Sequence, residues 1–172
     1  KRTLIIAFCV AFASLFHFNM FVEGFIITLS VILLPILLKN YDDLNPIKTA
    51  MVTGLVSPLF RAMTLYFESG SFGQAMYLAA PDIVFYYTYG VLYYVFYYRG
   101  NKSYTRFFLT VFACDFLSNM TEMSVRTKII GFSPRMIQGL IIIALMRAAI
   151  VLIVTIVQKN YKSFLVREEH EQ

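Results

Sequence analysis

Long apolar runs, separated by short polar segments, dominate the hydropathy pattern of this chain. The most extreme runs from Gly139 to Val157, GLIIIALMRAAIVLIVTIV, with one charge in it. At ~1.5 Å per residue such a run makes roughly 28 Å of helix, about the thickness of a bilayer's hydrocarbon core. No Gly or Pro ends it; it passes into QKNYKSFLVREEHEQ, which is charged and still helix-compatible. The pattern predicts six spans: about Thr3–Phe18, Val22–Leu38, Pro46–Phe67, Leu78–Tyr98, Tyr104–Val125 and Pro134–Lys159. Pro58 predicts a kink in the third, and the few residues between the first two predict a tight helical hairpin. The runs are too long for barrel strands and lack a two-residue alternation, so a closed β-barrel is excluded. The fold class read from the pattern is an all-α integral membrane bundle.

Composition agrees. Of 172 residues, 59% are hydrophobic and 15% charged, against about 45–50% and 25% in a soluble domain. The net charge of +5 reads as topology information and requires no nucleic acid. With both termini on one side, that side carries Lys1, Arg2, Lys39, Lys48, Arg99, Lys102, Arg106, Lys159, Lys162 and Arg167. The other side has only Arg126, Lys128 and Arg135. The positive-inside rule then puts both termini in the cytoplasm. Outer loops fall at Asn19–Glu23, Glu68–Tyr77 and Thr127–Ser133. Cys9 and Cys114 sit in apolar runs as small core residues, and no metal-ligand spacing is present.

Ionisable residues inside spans are the most informative chemistry, because each costs at least ~2.5–3.5 kcal/mol at mid-bilayer unless satisfied. Asp115 and Arg147 lie near the middles of the fifth and sixth spans, where antiparallel neighbours share a depth. They form either a structural ion pair or a pair that a ligand perturbs. Asp115, Ser118, Asn119, Glu122 and Arg126 recur at three- and four-residue steps, making a polar stripe up the fifth helix. Arg61, Asp82, Asn119, Glu122 and Gln138 come from four helices at one depth, the expected form of a small-molecule site. The bland alternative is interhelical hydrogen bonding alone. Ala7 and Ala11 form A-x-x-x-A, which lets another helix approach closely. In the last helix Ile150, Val157 and Phe164, with Val154 and Tyr161, make a heptad-spaced seam that favours a homodimer. Asp115, Arg147, Val157, Tyr161 and Phe164 are the candidate signal-coupling residues. No nucleotide loop, catalytic triad or zinc motif is present, so the segment has no catalytic residues and no cofactor of its own.

The six short spans, the alanine motif at Ala7 and Ala11, and TGLVSPLFRA at Thr53–Ala62 resemble the substrate-binding S components of energy-coupling factor vitamin transporters. The resemblance implies a six-helix bundle with a pocket near its outer surface, under Glu68–Tyr77, and an alanine face that docks on a coupling protein. The charged tail departs from that family. It resembles bacterial sensor histidine kinases whose membrane input domain has a similar fold. On that resemblance, residues 1–159 are a transmembrane ligand-binding domain in the bacterial cytoplasmic membrane. Residues 160–172 begin a signalling helix to a kinase region in the same chain, where ATP and Mg would bind. The alternative is an S component with an unusual tail.

Overall fold

The computed structural model describes residues 1–19, 26–100, 102–130 and 134–170. The elements in chain order are α1 (Arg2–Ala13), β1 (His17–Asn19), β2 (Ile26–Thr28), α2 (Leu29–Asn40), α3 (Pro46–Ser69), α4 (Phe72–Ala79), α5 (Pro81–Tyr93), a π-helix (Tyr94–Tyr98), α6 (Tyr104–Ile130) and α7 (Pro134–His170). The protein is a helical bundle in which α5 lies between α3 and α6, with α1 against α3 and α7 against α6.

Local chemistry sets the helix ends. The Asn45 side chain accepts from the Lys48 amide, 3.1 Å, and Pro46 takes the first turn, where its missing N–H costs nothing. That helix stops at Gly70, whose φ of 68° is left-handed and suits a residue without Cβ. Pro81 likewise opens α5.

Three expectations are corrected. First, α1 and α2 are joined by an antiparallel hairpin, His17 opposite Thr28 and Asn19 opposite Ile26, and α2 starts only at Leu29. Ile26, Ile27 and Thr28 are β-branched and favour extended backbone. Second, the segment expected as an outer loop, Glu68–Tyr77, contains most of the short helix α4, capped by Ser71. Third, the expected fourth span is split: its first residues end α4, and its Tyr-rich end leaves α geometry for a π turn. The Phe96 carbonyl there accepts from Arg106 Nε at 2.7 Å. Residues 20–25, which cover most of the expected first outer loop and the start of the expected second span, and residues 131–133 of the expected third outer loop lie outside the described residues.

Two helical stretches, Pro46–Phe67 and Ile137–Tyr161, are long and apolar enough to cross a membrane; α1 and α2 are apolar but short. Polar side chains are buried beside an apolar core that includes Val10, Leu34, Tyr89 and Phe107, and large apolar side chains face outward. Ser30, Thr49, Thr53, Asp82, Asp115, Ser118 and Arg147 are buried, while Ile5 and Phe8 on α1, Leu55 and Met63 on α3, and Ile153 and Val157 on α7 are exposed. An apolar exterior of this extent needs a covering. Ala7 and Ala11 are fully enclosed within the bundle.

Close approach of α3 and α5 depends on two glycines. A Cβ on Gly90 would lie 2.5 Å from the Ala50 Cβ and 3.0 Å from the Pro46 carbonyl; one on Gly54 would lie 3.0 Å from the Tyr86 Cβ. These contacts hold Asp82 and Tyr86 of α5 beside Ser57 and Arg61 of α3, all four lining the cavity described next.

Candidate functional site

A cavity of about 370 Å³ opens toward the end of the bundle where α5 begins. Its polar walls are Ser14 just after α1, Thr28 of β2, Ser57, Arg61 and Thr64 from α3, Asp82 and Tyr86 from α5, Asn119 and Glu122 from α6, and Arg147 from α7. Helical spacing explains why each helix contributes. Ser57 and Arg61, and Asp82 and Tyr86, stand four residues apart, and Asn119 and Glu122 three, so each pair shares a face.

At the mouth, Asp82 is the hub. Arg61 Nη1 donates to its Oδ1 at 2.7 Å, and Arg126 Nη2 donates to the same oxygen at 2.9 Å. Arg126 also donates from Nε to Glu122 Oε1 at 2.6 Å and from Nη1 to the Leu78 carbonyl at 3.0 Å. This guanidinium therefore ties α6 to both α4 and α5. Arg61 is the most open of the four, with 41% of its side chain exposed against 11% for Asp82. Deeper in, the Ser30 and Tyr86 hydroxyls share a 2.7 Å hydrogen bond.

At the floor, Arg147 Nη1 donates to Asp115 at 3.0 Å to Oδ1 and 3.3 Å to Oδ2. Asn119 Nδ2 donates to the same Oδ1 at 2.9 Å. The Asp115 side chain is 0% exposed and that of Arg147 7%, so the pair exists out of water. Arg147 both lines the cavity and holds the buried carboxylate.

Of the residues named from sequence, Arg61, Asp82, Asn119 and Glu122 all reach this cavity. Gln138 does not: it is exposed and contributes nothing to the walls. Val157 and Tyr161 lie on the outside of α7, 59% and 62% exposed; the Phe164 side chain lies outside the described residues. The sequence reading missed Ser14, Thr28, Ser57, Thr64 and Tyr86 as wall residues and undervalued Arg126. The signal for Ser57 and Tyr86 was the four-residue step from Ser57 to Arg61 and from Asp82 to Tyr86.

The walls carry two cations, Arg61 and Arg147, and two carboxylates, Asp82 and Glu122. A guest with a net charge would leave an uncompensated ion in a low-dielectric site. A compact neutral or zwitterionic molecule with donors and acceptors fits the balance, and the volume lies in the range of small-molecule sites. Among the described residues no three His, Cys, Asp or Glu side chains gather as a metal site. No family model, curated protein or solved structure matches the chain.

Proposed function

We propose that this chain is the membrane input domain of a two-component sensor histidine kinase. In this reading it crosses the bacterial cytoplasmic membrane six times, through α1, α2, α3, α5, α6 and α7, with both termini in the cytoplasm. It binds a small zwitterionic or polar molecule in the outer half and passes the signal along α7 to a kinase region in the same polypeptide, working as a homodimer. The observation that carries the reading is the position of Arg147. It lines the cavity, holds Asp115, and belongs to a helix of 37 residues without a break. A guest that competes for Arg147 acts directly on the rod that leaves the bundle. Coupling requires that the guest bind the two positions of α7 unequally.

The alternative, a transporter S component, calls for a free alanine face on α1. Enclosure of Ala7 and Ala11 weighs against it.

The experiment is a thermal-shift screen of the purified domain in detergent against free amino acids, short peptides, betaines, vitamins and quinones. A compound present at about a hundred times its Kd stabilises by about 2.7 kcal/mol. For a domain of this size that raises Tm by roughly 5–10 °C. The expected result is such a rise with at least one neutral or zwitterionic compound, lost in Arg61→Gln and in Glu122→Gln. No rise with any compound would show the polar groups to be structural and would sink the receptor reading.

A further inference from the structure

At the opposite end of the bundle, two lysines share one aromatic ring. Lys39 Nζ, at the end of α2, lies 4.0 Å from the centroid of Tyr104 and 4.0 Å from that of Phe107, both on α6. Lys159 Nζ, on α7, lies 5.4 Å from the same Tyr104 centroid. Those distances keep the two ammonium groups within about one Debye length (~10 Å) of each other, where like charges repel. Lys39 Nζ is buried and has no hydrogen-bond acceptor among the described residues. The acids nearby are already taken: Asp42 pairs with Lys102 and Asp43 with Arg2. Arg106 spends its Nε on the Phe96 carbonyl. Neither Lys39 nor Lys159 is in an ion pair among the described residues.

Ring faces attract a cation but accept none of its hydrogen bonds in the way an oxygen does. Two ammonium groups meet one aromatic platform, Lys159 exposed and Lys39 enclosed by the rings without an acceptor, and an anion with several oxygens would serve both once the flexible Lys39 stem turns its Nζ off the rings. We propose that Lys39 and Lys159 bind the phosphate of an anionic lipid headgroup where α2, α6 and α7 meet. The surface beside them favours a lipid as the source over free phosphate. Ile156, three residues before Lys159 and so on the same side of α7, is exposed, as is Ile153 one turn further in. They form an apolar strip on which acyl chains can lie directly below the headgroup. Asn40 Nδ2 donates to Gln158 Oε1 at 2.9 Å, joining α2 to α7 at this level. A phosphate here would strengthen that joint and hold α7 as it leaves the bundle. The site rests on the bundle lying in a bilayer, and not on the outer cavity having a guest.

The test uses the purified chain in nanodiscs of phosphatidylcholine alone and of phosphatidylcholine with phosphatidylglycerol. Native mass spectrometry counts the lipids retained on release. The expected result is preferential retention of phosphatidylglycerol, weakened about fivefold by Lys39→Gln and again by Lys159→Gln. Lys48→Gln, an exposed lysine at the same end, should leave it unchanged. Lys159 is exposed, so its variant is expected to fold, and thermal melting checks each variant. A Lys39→Gln/Lys159→Gln variant that retains as much phosphatidylglycerol as the wild type overturns the site. Inorganic phosphate that displaces phosphatidylglycerol, or binds as well in neutral discs, overturns the lipid assignment in favour of a free anion. Failure of the chain to enter discs of either composition would sink the membrane placement itself, a result distinct from entry without lipid preference.

Discussion

Asp115→Asn is expected to destabilise the bundle by about 3–5 kcal/mol, the cost of stranding one member of a buried ion pair. Interhelical hydrogen bonds in membrane bundles are usually worth far less, about 0.6 kcal/mol on average. The larger figure applies here because a neutral amide removes the counter-charge of Arg147, and the surroundings are dry. Replacing both residues with apolar ones, Asp115→Leu with Arg147→Met, should recover most of the loss, since no charge is then left behind. Reversible unfolding in mixed micelles of the wild type, both single variants and the pair gives the comparison. The apolar pair separates architecture from signalling. If α7 responds through Arg147, as the proposed receptor reading requires, the double variant should fold and yet lose ligand-dependent phosphorylation in the parent kinase which that reading proposes. A double variant that still responds would disprove this route. One that stays as unstable as Asp115→Asn would mean that the loss is not a charge effect.

Gly90→Val is expected to cost more than about 3 kcal/mol, and Gly90→Ala about 1–2 kcal/mol. In an open helix, alanine in place of glycine would instead gain about 1 kcal/mol. The 2.5 Å approach to the Ala50 Cβ decides the sign: neither helix can retreat without opening the α3–α5 seam, and overpacking of this kind typically costs about 1–3 kcal/mol. Gly73 on α4 is the control. Nothing lies within 4 Å of a Cβ placed there, so Gly73→Ala should gain about 0.4–1 kcal/mol. The same unfolding titration measures both. Equal effects at the two positions would mean that the helices do not touch at Gly90.

The long helices were legible because their signals are local and strong. The start of α3 at Pro46 follows from Asn45 and the proline, and that of α6 at Tyr104 from the end of the polar RGNKS segment. Depth was legible too: Asp115 and Arg147, counted along antiparallel runs, come out level. What hydropathy does not carry is azimuth and hydrogen-bond register. Gln138 matches the cavity residues in height. Yet it lies nine residues before Arg147, and at ~3.6 residues per turn that is about half a turn around α7, pointing the opposite way. The β2 strand of the hairpin, the α4 helix and the π turn after Tyr93 are all as apolar as the helices beside them. Only the β-branched triplet Ile26–Thr28 and the Ser71 and Pro81 capping signals marked the first two, and no residue type announced the third.

One carboxylate oxygen of Asp82 serves two guanidinium groups, and this sharing has a consequence for access. Arg61, the outward-facing partner, can be lured toward an arriving molecule while Asp82 keeps one guanidinium, because Arg126 remains as an understudy on the same oxygen. The entrance is thus built with a spare: its outermost cation can be diverted while Asp82 stays partnered, and the toll for admitting a visitor is correspondingly low.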